Sequence, residues 1–386
     1  MKKMFLLIAF ASLYLVMYAQ EVDVFKAGED GYASYRIPAI VKQKDGSLVA
    51  FAEGRVAHAG DFGDVDIVYK VSKDNGKTWG KLNVLVDYDE LQAGNPAPVV
   101  DLLDSRFPNG RLILFYNTGN NHEHEVRKGN GMREVWFITS DDFGKSWSIP
   151  KNITTQVHRP NQKDINPDYQ FSEDWRAYAN TPGHAMQFDS GKFEGRIFVP
   201  ANHSIGEPKE AGRDYFAHGY FSDDHLESFE IGESVSFEGG NESMAAQISK
   251  DGLYMNTRNQ QGNTKNRIIS VSRDGGATWD TTYYDQNLPD PINQGSVLSW
   301  RHGDKYILAV CNAADSVHRN NLTLRISVDK GKTWKNKYSI AVAPEGKEPS
   351  FSAYSDLVLI GRKKMGVLYE KDGYSRIVFH TQKIQY

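Results

Sequence analysis

One cysteine, Cys311, is all the thiol chemistry in the 386 residues. No intramolecular disulfide can brace the chain, so core and sheet must hold it alone. A lone cysteine of this kind is most simply a small buried apolar residue. Charge of one sign is also lacking: Lys and Arg number 45 against 49 Asp and Glu, a formal net charge of −4. That balance excludes a broad basic face for nucleic acid and leaves any attraction for an anion to a local cluster of arginines. Long hydrophobic runs are missing too, except at the N-terminus, where Met1-Lys2-Lys3 leads into the apolar stretch Met4 to Met17 and the small residue Ala19. The stretch is shorter than the ~20 apolar residues of a membrane span, and its charged start and small-residue end read as a secretory signal peptide over residues 1–19. No cysteine stands nearby to carry a lipid. The expectation is periplasmic or secreted export, with no stable membrane insertion after the signal is cleaved and with residues 20–386 as one mature domain.

Helical periodicity is nearly absent. Short alternating or apolar segments recur instead, among them Ser47 to Phe51, Arg111 to Phe115, Arg196 to Val199, Arg267 to Val271 and Leu357 to Ile360. With 34 glycines and 12% aromatic residues, the composition points to a large all-β domain rich in tight turns. An internal repeat organises it: Ser72-Lys-Asp74-Asn-Gly76-Lys-Thr78-Trp79 returns at Ser140 to Trp147, Ser272 to Trp279 and Ser327 to Trp334. Each copy reads as a hairpin in which Ser and Asp side chains bond turn amides, Gly supplies positive φ, and Trp leaves to pack between sheets. The Trp-to-Trp steps are 68, 132 and 55 residues. Since 132 is twice 66, a decayed copy belongs in the middle gap, and Ser222-Asp-Asp224-His-Leu-Glu-Ser228-Phe229 fits that place. Units of about 60 residues, each a four-stranded antiparallel sheet, predict a six-bladed β-propeller with no linker or appended module.

The four repeats resemble the aspartate boxes of sialidases, and Tyr35-Arg36-Ile37-Pro38 resembles the Arg-Ile-Pro signature of that family. The likeness runs through essentially the whole mature chain. Boxes alone are turn architecture found in several propellers; the Arg-Ile-Pro motif is the more specific signal. The resemblance implies an exo-α-sialidase, a retaining glycoside hydrolase that removes terminal sialic acid from glycoproteins, glycolipids or oligosaccharides. It implies sialylated glycans as partners and requires neither metal nor cofactor. A non-catalytic sialoglycan-binding propeller and a trans-sialidase are the alternatives that would keep much of the same residue set.

Sialic acid carries a carboxylate on its anomeric carbon, so its pocket needs fixed planar guanidiniums. The resemblance assigns that clamp to Arg36, Arg258 and Arg319. The same carboxylate would repel an anionic nucleophile, a physical reason for sialidases to depart from the two-carboxylate scheme and attack with tyrosine. Ser352-Ala-Tyr354-Ser-Asp356 resembles the nucleophile segment and Gly240-Asn241-Glu242-Ser243 the segment of the base. A phenol of pKa about 10 needs that base as it attacks. Asp61, beyond Arg55 in Glu53-Gly54-Arg55-Val-Ala-His58-Ala-Gly60-Asp61, takes the general acid/base role, with Asp64 and Asp66 close enough to be alternatives. By the same resemblance Arg55 would meet a ring hydroxyl, Glu370 would hold Arg36, and Thr181 to Gln187 would form a Pro-Gly loop at the pocket rim. Trp175 and Met186 are candidates for an apolar N-acetyl niche. His122-Glu123-His124-Glu125 lacks a third ligand at defined spacing and reads as a polar loop rather than a zinc site. Asn-x-Ser/Thr sequons stand at Asn152, Asn202, Asn241 and Asn321, two of them abutting proposed site residues. That favours an exported bacterial protein that escapes glycosylation.

Overall fold

The structure is a computed structural model that describes residues 21–163, 166–167 and 169–386; the expected signal peptide lies outside them. The repeats form the hairpins their chemistry requires. In the first, Gly76 N–H donates to Ser72 Oγ at 2.9 Å, Thr78 N–H to Asp74 Oδ1 at 2.9 Å and Thr78 Oγ1 to Asp74 Oδ2 at 2.7 Å. The same bonds recur around Asp142, Asp274 and Asp329. The decayed copy folds the same way, with Leu226 N–H on Ser222 Oγ at 2.9 Å and Ser228 N–H on Asp224 Oδ1 at 3.0 Å. Leu226 there adopts φ +79°, close to the +83° of Gly76. A side chain tolerates that left-handed turn only under compensation, and Leu226 is buried in the core beside Phe115, Tyr220 and Phe229.

These hairpins join antiparallel strands into sheets arranged as a propeller. The innermost strands pack against one another around the ring: Ser34–Lys42 touches Gln92–Asp101 on one side and Ser352–Gly361 on the other, and Gly240–Gln247 lies between Ile197–Ile205 and Gly295–His302. The ring is shut by Glu21–Lys26, which pairs antiparallel with Arg376–Lys383 and completes the last sheet from the opposite end of the chain. Box tryptophans fill the seams, as where Trp79 meets Phe379 edge-on with ring centroids 5.5 Å apart. Hydrogen bonding divides the described strands into five sheets, not six separate ones: three of four strands, one of five and one of eight. The eight-stranded sheet arises because two antiparallel groups are stitched by a single parallel contact, Val65 to Gln92.

Cys311 is fully buried, and burial pushes its thiol up to about 12. A second buried feature was not anticipated: His158, His203 and His218 cluster with Trp175 and Tyr178. His203 stacks on Trp175 at 3.5 Å, and its Nδ1 lies 3.1 Å from Nδ1 of His218. Among the described residues no helix is long and apolar enough to cross a membrane. Strand direction sorts the molecule into two ends. The first box lies at the Lys42/Leu48 end of its sheet, while Arg36 and Arg55 lie at the other.

Candidate active site

At the end away from the boxes, four inner strands break their ladder near their starts: between Arg36 and Ala39, Gly94 and Ala97, Gly240 and Ser243, and Ser352 and Ser355. Such bulges re-aim side chains out of the pleat. The Arg36-Ile37-Pro38 motif makes the first of them: Pro38 has no N–H for the ladder, and Ile37 takes φ +58°. The strain of a β-branched residue in that region is offset by Glu370, whose Oε1 accepts the Ile37 N–H at 3.0 Å. Around these bulges opens a cavity of about 440 Å³, within the range of small-molecule sites.

Arg36, Arg258 and Arg319 all line this cavity. Each is oriented by a different device. Arg36 Nε donates to the fully buried Glu370 at 2.6 Å, and its guanidinium lies 4.0 Å from the centre of the Tyr374 ring. Burial works against its charge but Glu370 overrides it, holding the group firmly protonated. Arg258 Nη1 donates to Glu242 at 2.8 Å and to Tyr354 Oη at 2.9 Å. Arg319 donates to Tyr374 Oη at 3.0 Å and to the Ile292 carbonyl at 3.3 Å, with its guanidinium 5.7 Å from the centre of the Tyr354 ring.

Tyr354 stands among the three. Its O–H donates to Glu242 Oε1, whose other oxygen carries the Arg258 bond, and its backbone N–H donates to Glu370 Oε2 at 3.2 Å. Burial and the Glu242 charge push the phenol's pKa well above its ordinary value, against the pull of Arg258, Arg319 and Arg36. The free protein therefore holds a neutral phenol already bonded to a carboxylate acceptor.

Of the three aspartates, Asp61 alone lines the cavity. It accepts from Arg55 Nη1 at 2.8 Å and lies 4.0 Å from Arg36. Loss of solvation raises its pKa, but Arg55, then Arg36 and His122, together hold it below the usual aspartate value. Asp66 is buried and accepts from Tyr32 at 2.6 Å, and neither it nor Asp64 lines the cavity. Arg55 is anchored from behind by Glu53, at 3.1 and 2.7 Å through Nε and Nη2.

Several side chains that sequence reasoning did not single out complete the arrangement. Tyr374 ties Arg36 to Arg319, Glu53 carries Arg55 and also caps the Asn95 N–H at 2.9 Å, and buried Asp356 bonds His184 Nδ1 at 2.7 Å and the Ile40 N–H at 2.8 Å. No local motif announces them: Tyr374 and Asp356 hold residues far along the chain, and Glu53, two residues before Arg55 in the same strand, also holds the distant Asn95 amide. Other expectations are corrected. Thr181 to His184 is not a rim loop: it is buried and lines no part of the cavity, and the His184 N–H donates to Asp356 at 3.0 Å. Trp175 and Met186 are core residues and line nothing. His122, Glu123 and His124 line the cavity wall, where Glu123–Val126 forms a single helical turn and Glu123 accepts from the Tyr215 O–H.

A family model described as a BNR repeat-like domain matches residues 46–368. An exo-alpha-sialidase of Arthroderma benhamiae is 29% identical over 367 residues, covering 89% of this chain and 79% of that protein. Sialidases of Micromonospora viridifaciens and Bacteroides fragilis are 29% and 25% identical across 91% and 94% of this chain, which spans 52% and 64% of their lengths. Among solved structures, the Hadza microbial sialidase Hz136 superposes with a TM-score of 0.75 at 24% identity, covering 92% of this chain and 67% of that one. A leech intramolecular trans-sialidase does so at 0.72 and 17%, covering 96% and 70%. At these identities the two superpositions speak for the fold.

Proposed function

The chain belongs to the sialidase family of BNR-repeat propellers, and from that premise we propose that it is an exo-α-sialidase acting with retention through Tyr354. The observation that carries the reading is the meeting of Tyr354, Glu242 and three arginines in one cavity. Three fixed guanidiniums suit the substrate carboxylate, and the neutral phenol approaches that anion without repulsion. In the first step Asp61, protonated, gives its proton to the glycosidic oxygen as the C–O bond breaks. Tyr354 Oη bonds the anomeric carbon while its proton passes to Glu242. In the second, Asp61 takes a proton from water, which attacks the same carbon; the phenolate leaves and recovers its proton from Glu242. A substrate hydroxyl that takes over Arg55 releases Asp61 from the partner that keeps it ionised, which is how a carboxyl of lowered pKa comes to carry the proton.

The eight-stranded sheet is best counted as two blades joined by one bridge, giving six blades in all. Export to the periplasm or medium belongs to the same proposal and is supported by the N-terminal apolar stretch; N-terminal sequencing of the mature protein checks it. Catalysis is tested by release of a fluorescent phenol from an aryl sialoside, with free sialic acid binding measured in parallel. Turnover should collapse in Tyr354→Phe while binding persists. Binding without turnover by wild-type protein would mean a lectin.

A further inference from the structure

Arg133 begins the strand Arg133–Ser140 and pairs across the ladder with Gly119. It lines the cavity while only 7% exposed. Among the described residues its side chain makes no hydrogen bond or ion pair, and its Nη1 is buried without a partner. The neighbouring arginines are all engaged: Arg36 by Glu370, Arg55 by Glu53, Arg127 by Asp214 and Arg258 by Glu242. The two carboxylates whose charge reaches Arg133 are spoken for, Glu53 by Arg55 and Glu123 by Tyr215. An unpartnered buried guanidinium is costly, yet the backbone makes room for it. A Cβ on Gly119 would stand 1.4 Å from Nη1, so the guanidinium occupies this place only because residue 119 is glycine.

Resting on the sialidase reading, we propose that Arg133 is a substrate-binding residue outside the carboxylate clamp, donating hydrogen bonds to a neutral oxygen of the bound sugar and so setting which substituted sialic acids are accepted. A neutral acceptor is favoured over a second anion. The clamp already takes the carboxylate, and Glu123 and Glu53 offset the Arg133 charge through space and would repel another negative group. The acceptor is an acyl carbonyl or a hydroxyl of the glycerol-like side chain.

The test compares wild type, Arg133→Met and Gly119→Ala on three aryl glycosides: that of N-acetylneuraminic acid, that of its analogue with a hydroxyl in place of the acylamino group, and that of an analogue with a shortened side chain. On the parent, both variants should lose about tenfold or more in kcat/KM, mostly through KM, the loss of a hydrogen bond from a charged donor. The penalty should vanish on the analogue missing the oxygen that Arg133 holds, which identifies it. Arg133→Met should melt no lower than wild type, since an unpaired buried charge gives way to an apolar chain. Unchanged kcat/KM, equal losses on all three glycosides, or a lowered melting temperature with KM intact would overturn the assignment. Absence of wild-type turnover would instead sink the hydrolase reading. Arg133 would then be judged by calorimetric binding of free N-acetylneuraminic acid, where equal affinity of wild type and Arg133→Met, or no binding by either, overturns it.

Discussion

The buried histidine cluster makes the fold acid-sensitive by an amount that can be worked out. Burial pushes His158 and His218 down to about 3 from an ordinary 6.5, the first helped by His218 and the second by Arg159. Burial with the same neighbours carries His203 well down too. The folded chain thus binds fewer protons than the unfolded chain between about pH 3 and 6.5, so stability falls as pH falls through that window. For one imidazole, lowering the pH from 7 to 5 costs about 2 kcal/mol, at about 1.4 kcal/mol per unit of pKa difference. Two cost about 4 kcal/mol, a large share of the 5–15 kcal/mol typical of a whole domain. Urea unfolding followed by tryptophan fluorescence at both pH values, on wild type and His218→Gln, isolates one share. The variant should lose about 2 kcal/mol less than wild type on acidification, whatever its stability at pH 7. Equal losses would refute the reasoning, since they would mean that His218 is protonated alike in folded and unfolded chains.

Two further outcomes follow from the site. Glu370→Gln should cost about 3–5 kcal/mol in urea unfolding, because it leaves Arg36 buried without its carboxylate, and should lower kcat/KM with it; unchanged stability would show that Tyr374 alone secures Arg36. Asp61→Asn should slow hydrolysis of a natural sialoside by about 10²- to 10⁴-fold, yet slow an aryl sialoside with an acidic leaving group far less; equal losses would remove Asp61 from the acid role.

Legibility followed the range of the interactions. The boxes could be read because Ser, Asp and Thr satisfy amides within the same eight residues, and even the copy with Leu226 in place of glycine kept the bonds that define it. The cavity residues Arg36, Asp61, Glu242 and Tyr354 were placed through resemblance of short motifs, and the structure brings them together. Tyr374 and Arg133 went unread because their significance lies in partners, or in a missing partner, far along the chain, and Glu53 because nothing local shows that one oxygen takes Arg55 while the other takes the Asn95 amide of another strand. Trp175 misled for a related reason: a tryptophan suited to an apolar niche is equally suited to stacking on His203 inside the core. The fusion of two strand groups into one sheet depends on a single backbone contact, which side-chain patterning does not encode.

Glu370 takes the Arg36 side chain on both oxygens, the Ile37 amide on one and the Tyr354 amide on the other. Its partners come from the first inner strand and the last, and the strand Glu21–Lys26 waits for Arg376–Lys383 before it can pair. On the ribosome, the arginine made earliest therefore lacks its buried carboxylate partner until the final strands emerge. The three sheets made in between contribute nothing to that anchor. Assembly of the pocket is thus a late, joint event in the life of the chain, coincident with closure of the circle, and a nascent or truncated chain short of its last hairpin lacks the carboxylate that holds both Arg36 and Tyr354.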